Sequence, residues 1–268
     1  MGPGHQLRRT IHQKAIRIMY ENYEAEICRY ENFIGRVLAS GDMSFFKRHR
    51  RYIVLLEHAS KQWGRAYLEL IYSKFSLSES EVRSFCELND KIGSPRLCSR
   101  IISGLSVSPT SLGYIFHALV ILEHCQQLGL REVKIVELGG GYGGLLLAIN
   151  QFQKRMGVDV QQYRLIDLEQ PLALQKKYLA NFQIGFPISF HDARNHGEDV
   201  EQGEYFLTSV YCFSEISPVH QEAYRTHLLP KCKHGFMIWN VRGQITLERE
   251  LKISCPLGSW ANNRYVCF

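Results

Sequence analysis

The chain has no Cys-x-x-Cys pair, no cysteines and histidines grouped at ligand spacing, and no Asn-x-Ser/Thr acceptor site. The first two absences remove the zinc-module and dithiol-motif classes. The third, together with cysteines scattered at 28, 86, 98, 125, 212, 232, 255 and 267, leaves no argument for secretion, so the thiols read as those of a reducing compartment. No apolar run approaches the length of about 20 residues that spans a bilayer. The polar stretch from Met1 to Lys14 lacks the regions of a signal peptide, and a cytoplasmic protein with no membrane span is expected. No cluster of acids and histidines specifies a metal, so none is expected. Strong charge is missing too. A net charge of +6 permits an anionic, nucleotide-linked or phosphorylated substrate without demanding nucleic acid. The densest basic run, Lys47 to Arg51, has no interleaved aromatics for stacking bases and reads as a solvated helix face.

What the chain does have is apolar content, 45% of its 268 residues, enough for one sizeable core plus a smaller helical subdomain. It is organised around residues 133–150. The β-branched run Val133 to Val136 leads through Glu137 and Leu138 into a glycine cluster, then into an unbroken apolar stretch, which predicts strand, tight turn and helix. Gly139, Gly141 and Gly143 allow positive φ and close approach of a ligand, and the helix beginning near Gly144 aims its free N–H groups at the same place. Two ligand classes use such a turn. Gly139, Gly141 and Gly144 satisfy the dinucleotide pattern, whereas Glu137 with Gly139, Gly141 and Gly143 satisfies the acidic pattern of S-adenosylmethionine (SAM) enzymes. A carboxylate two residues before the first glycine suits a ligand carrying an ammonium and a sulfonium, and gives a pyrophosphate nothing.

Around this turn the periodicities predict a long amphipathic helix over Gln6 to Ser40, packed on the helices that follow or serving as a lid or dimer seam. Helical periodicity returns over Tyr52 to Phe75. Ser78 with Glu81 has the form of a capping box, and the segment Asn89 to Pro95 is a turn-rich connector. Ser108 and Pro109 open a helix that runs to Leu128. After the glycine turn, Tyr163 to Leu168 reads as a second strand. Its Asp167, about 20 residues beyond the glycines, is placed to accept hydrogen bonds from ribose hydroxyls. A third strand ends at His191 and Asp192, an acid that could meet an adenine amino group or cap a turn. The fourth strand, Tyr205 to Val210, delivers Tyr211 to Pro218 to the crevice where open α/β sheets bind ligands. A last strand at Phe236 to Asn240 and two short strands around Pro256-Leu257-Gly258 complete the pattern.

In the same order along the chain, the segments Asn89-Asp90-Lys91-Ile92-Gly93-Ser94-Pro95, Ser108-Pro109-Thr110-Ser111-Leu112, Ile135 to Gly144, Ile166-Asp167-Leu168, Leu172 to Leu179, Phe213-Ser214-Glu215-Ile216 and Asn240 resemble the sugar O-methyltransferases of the SAM-dependent, Rossmann-like class I superfamily. Two departures stand near the acceptor side: Val210 replaces an asparagine, and Gly113 an arginine. The resemblance implies an α/β fold: a seven-stranded, mostly parallel methyltransferase sheet with an antiparallel last strand and helices on both faces. An α-helical N-terminal subdomain, residues 1–105, would precede a cofactor-binding domain, residues 106–268. It implies transfer of a methyl group from SAM to a sugar hydroxyl, on a glycan or a nucleotide sugar. The cofactor set would be Glu137, Gly139, Gly141, Tyr142, Gly143, Asp167, Leu168 and Asp192. Asn89, Lys91, Ser108, Thr110, Tyr114 and Ser214 would face the acceptor. Glu215 would be the base or hydroxyl orienter with Tyr211 and Asn240 as partners, and His220 the second choice of base. Other readings the residues leave open are a methyltransferase for another small molecule or RNA, an NAD-dependent oxidoreductase, and a non-catalytic SAM-fold partner.

Overall fold

The computed structural model describes residues 25–102, 105–239, 252–254 and 263–268. The first part of the helix expected over Gln6 to Ser40, the turn at Pro256 to Gly258, and Asn240 lie outside the described residues.

Among the described residues four α-helices come first: α1 (residues 25–40), α2 (Arg50–Leu55), α3 (Lys61–Phe75) and α4 (Glu79–Asp90). The continuous helix expected over Tyr52 to Phe75 is in fact two. Ser60 takes an extended conformation and its side chain accepts from the Trp63 N–H, which starts a new helix and leaves a break from which Glu57 turns inward. The capping box of α4 forms as expected, with Ser78 and Glu81 exchanging side-chain and backbone hydrogen bonds. The connector that follows contains a small antiparallel hairpin, β1 (Cys98–Ile102) and β2 (Leu105–Val107).

Helix α5 (Pro109–Gln127) opens on Ser108, whose side chain accepts from Thr110 N–H. It is apolar nearly all round, from Leu112 to Cys125, and such a helix must lie inside. It packs between α3 and α4 on one side and α6 on the other. The main sheet follows in alternation: β3 (Glu132–Leu138), α6 (Gly144–Phe152), β4 (Asp159–Asp167), α7 (Glu169–Leu179), β5 (Ile188–Asp192), β6 (Tyr205–Val210), α8 (Cys212–Glu215), α9 (Pro218–His227), β7 (Cys232–Trp239), β8 (Lys252–Ser254) and β9 (Arg264–Cys267). Strand order is β5-β4-β3-β6-β7-β9-β8. The first five strands in that order are parallel, and β9 runs antiparallel to both neighbours.

Side-chain alternation sends Val133, Ile135, Tyr163 and Leu165 to the face covered by α5, α6 and α7, and Val136, Leu138, Ile166 and Leu207 to the face that holds Phe213, Tyr224 and Leu228. The core of the first face continues without a break into the N-terminal helices through Ile34, Tyr52, Ile71 and Phe85. These helices therefore bury their apolar stripes on the α/β unit. The order of strands reverses between β3 and β6, and the crevice outside their carboxyl ends is the ligand position of such sheets.

Candidate functional site

Two loops meet in that crevice. The first is the turn after β3, where Gly139, Gly141 and Gly143 have φ of 76°, 60° and 96°, values that only glycine takes without strain. A Cβ on Gly139 would lie 2.4 Å from that of Cys212, and one on Gly144 would lie 2.5 Å from the Tyr114 ring. The second loop follows β6. Ser209 ties it to the first, its hydroxyl donating to Leu138 O at 3.2 Å and accepting from Phe213 N–H at 3.0 Å. Tyr211 begins this loop with φ of 70°, a non-glycine in a region that costs about 1–3 kcal/mol and that clusters at functional sites. Its backbone N–H donates to Ile238 O at 2.8 Å, and its hydroxyl accepts from Asn263 Nδ2 at 3.1 Å.

The carboxylates predicted for the cofactor converge on the glycine turn. Glu137 is buried at the end of β3 and accepts from the Tyr163 hydroxyl at 2.8 Å. Burial, opposed by that hydrogen bond and reinforced by Asp167, pushes its carboxyl up to about 8. Asp167, half-buried at the end of the adjacent strand, accepts from its neighbour Leu168 N–H at 2.8 Å and from Gln175 Nε2 at 2.8 Å. The same Gln175 amide donates to Gly141 O at 3.1 Å, so one side chain fixes the acid relative to the turn. Burial also raises Asp167, to about 7, against its hydrogen bonds. Asp192 stands beside Asp167 in register, but its carboxylate caps Arg194 N–H and grips that residue's guanidinium, which is the turn-capping role left open by the sequence.

Several residues expected near the acceptor are taken inside. Asn89 is fully buried: its Nδ2 donates to Ser111 Oγ at 2.7 Å and to the Tyr142 hydroxyl at 2.9 Å, and its Oδ1 accepts from the Tyr178 hydroxyl at 2.7 Å. Tyr142 is likewise buried, so the glycine turn sends this ring into the protein rather than to the crevice. Ser108 donates its N–H to Asp90 at 2.8 Å and its hydroxyl to Glu57 at 3.2 Å. Ser214 is buried and donates to Tyr211 O at 2.8 Å. Lys91 is exposed at the end of α4. Tyr114, by contrast, reaches the turn, its hydroxyl 3.7 Å from where a Cβ on Gly141 would be. Glu215 closes α8 half-buried, near enough for its charge to raise the Tyr211 phenol and the Cys212 thiol, both lifted mainly by burial. His220 is exposed on α9 and pairs with His196 at 2.9 Å, away from this loop contact.

Sequence reasoning missed a charged group underneath. Lys47, read as part of a solvated basic face, is fully buried. Its ammonium donates to Asn89 O at 2.7 Å and stands over the Tyr142 and Tyr178 rings. Burial lowers its pKa while Glu57 and Asp90 oppose the shift; the same burial raises both of those carboxyls. Only the break between α2 and α3, which points Glu57 inward, could have hinted at this cluster. His117 was missed as well: it lies on α5 beside Tyr67 and Tyr211, and burial pushes it down to about 4. Among the described residues no group of three or more acids, cysteines and histidines is arranged to hold a metal, and no helix is long and apolar enough to cross a membrane.

No family model matches the chain, and no curated protein matches it. Solved structures that it resembles include a candidate SAM-dependent methyltransferase of Methanococcus maripaludis, with 14% identity over 60% of this chain and 87% of that one and a TM-score of 0.43. A SAM-dependent methyltransferase of Clostridium acetobutylicum shares 13% identity over 46% of this chain and 49% of its own, TM-score 0.37. A candidate RNA methyltransferase of Pyrococcus horikoshii shares 16% over 47% and 59%, TM-score 0.34. The chain thus spans about half of the Clostridium protein and less than two thirds of the Pyrococcus one.

Proposed function

We propose that the chain binds SAM in the crevice after β3 and transfers its methyl group to a hydroxyl of a sugar, on a glycan or a nucleotide sugar. The observation that carries the cofactor reading is the convergence of the positive-φ turn Gly139 to Gly143 with the Glu137 and Asp167 carboxylates at the point where strand order reverses. The site's chemistry fits the cofactor. Gln175, whose amide nitrogen donates to Gly141 O, keeps its Oε1 buried beside the turn with no hydrogen-bond partner, and such an atom calls for a polar ligand. Around the turn the carboxyl groups of Glu137, Asp167, Glu57 and Asp90 outnumber the Lys47 ammonium, which suits a cation.

Within this reading, Asp167 holds the ribose hydroxyls, and the turn's backbone receives the methionine end. When bound, SAM supplies a methyl group already activated by its sulfonium. The chain's remaining task is to hold the acceptor oxygen in line and take its proton. Glu215 is assigned that proton, with Tyr211 orienting the hydroxyl and Asn240 as the family-like partner. The sugar acceptor rests on the resemblance of the Ser108 to Leu112 and Phe213 to Ile216 segments. The N-terminal helices α1 to α4 serve as the roof of the site.

Calorimetry with SAM and NAD added separately tests the cofactor. Asp167→Ala should weaken SAM binding by about 1–3 kcal/mol, the cost of losing a charged hydrogen-bond partner. Equal affinity in a folded Asp167→Ala protein would remove Asp167 from the site. For the acceptor, incubation with SAM and an array of glycans and nucleotide sugars should yield a product heavier by one methyl; no methylated sugar in the array would count against this substrate class.

A further inference from the structure

The sheet builds only the floor of the site. Helix α1 lies along the start of α7 and the end of β5. A Cβ on its Gly35 would lie 3.3 Å from Gln170 Oε1, and just beyond its end Gly41 O accepts from Lys177 Nζ at 3.2 Å. On the same helix, Glu31 lies within the electrostatic reach of Arg194, Glu169 and Asp192. Beside it, after α2, Leu56 rests 3.3 Å from the position of a Cβ on Gly141. The helical layer therefore touches both ends of the cradle.

From this layer two phenols reach inward. Tyr30 of α1 and Tyr52 of α2 have ring centres 5.8 Å apart, and Tyr52 lies 6.3 Å from Tyr142 of the glycine turn. Tyr30 is close enough to Asp167 and Tyr114 for their charges to add to burial in raising its pKa. Both tyrosines are more than nine-tenths buried. Their hydroxyls lie within reach of one another, but among the described residues neither is satisfied by a hydrogen bond. A buried hydroxyl without a partner costs free energy that a well-packed core avoids. Two such hydroxyls on neighbouring rings, the Tyr30 one within electrostatic reach of the Asp167 carboxylate and the Tyr52 ring beside Tyr142 of the glycine turn, mark the place of a ligand with hydroxyl groups.

We infer that Tyr30 and Tyr52 are cofactor-binding residues of the helical roof, giving their phenols to the nucleoside end of the cofactor that Asp167 holds from the sheet. The inference rests on the proposed SAM site and adds to it a second half carried by residues outside the α/β unit. It also assigns the N-terminal helices a binding role, so that cofactor and roof hold one another in place.

The test uses the full chain with Tyr30→Phe, Tyr52→Phe and the double variant. Calorimetry should show SAM affinity reduced about three- to tenfold by each single change, the range for one lost hydrogen bond. In the absence of ligand, the thermal midpoint should stay equal or rise, because each change removes an unpartnered polar atom from the interior. Unchanged affinity in all three variants overturns the inference, and so does a lowered midpoint with unchanged affinity, which would make the hydroxyls structural. If the wild-type protein binds no SAM, the reading of the site fails and this inference with it. Wild-type binding with unaffected variants defeats the inference alone.

Discussion

The Lys47 ammonium stands 4.0 Å from the centre of the Tyr142 ring. One residue belongs to the helical layer and the other to the glycine turn, so a single cation–π contact ties the roof to the floor of the candidate site. Desolvated pairs of this kind are worth about 2 kcal/mol, and here the ammonium also donates to Asn89 O. The buried Glu57 carboxyl and the half-buried Asp90 carboxyl counter its charge.

Replacing Lys47 by methionine keeps most of the unbranched side chain and removes the charge. Glu57 and Asp90 then lose their cation inside the protein, and breaking such a buried group costs about 3–5 kcal/mol. Urea denaturation at neutral pH should show that loss, with weaker SAM binding as the turn loosens. A Lys47→Met protein as stable as the wild type would show that the ammonium has no structural part.

Much of this arrangement was legible in the sequence, and the reason is locality. Glycines at 139, 141 and 143, the acid at 167, the cap at Ser108 and the capping box at Ser78 are set by neighbours a few residues away, and each forms where periodicity and turn chemistry put it. Lys47 was not legible. A run of basic residues says only that most of them are solvated, and the rings and carboxylates around this one come from the α2–α3 connection, α4, α7 and the glycine turn. The inward turn of Tyr142, the strained φ of Tyr211 and the closeness of Tyr30 to Asp167 are tertiary in the same sense. A sequence pattern names the residue type there without its direction.

The two site carboxylates make the empty protein and the loaded one respond oppositely to pH. Burial holds Glu137 up at about 8 and Asp167 at about 7, so the folded chain keeps protons that the unfolded chain has already released. Their contribution to stability is fully present below the ordinary carboxylate range and is lost as pH rises through 7 to 8. A cationic ligand favours the ionised forms. SAM affinity should therefore rise between pH 6 and pH 9, and binding at pH 7 should release protons, visible as a dependence of calorimetric heat on the buffer's ionisation enthalpy. Glu137→Gln should flatten part of the rise; constant affinity across this range in the wild type would remove the carboxylates from the ligand's surroundings.

The assignment of chemistry to Glu215 is the most exposed. It ends the short helix α8, which begins at the strained Tyr211, and its charge reaches the Tyr211 phenol. A carboxylate at that loop can take or orient the proton of a hydroxyl held against the methyl group. Glu215→Gln keeps the shape and removes the basicity, so SAM affinity should be unchanged while single-turnover methyl transfer falls by about 10²- to 10⁴-fold, the range for losing a general base. A structural role makes the reverse prediction: a midpoint lowered by the equivalent of about 1 kcal/mol, as for a lost helix cap, and a normal rate. His117 supplies the internal control, because a ring pushed down to about 4 is neutral but weakly basic at pH 7, and it too stands beside Tyr211. His117→Gln should leave the rate within about tenfold of wild type, less than the smallest loss expected for a general base. If His117→Gln abolishes transfer and Glu215→Gln does not, the base lies on α5 and the role given to α8 is wrong.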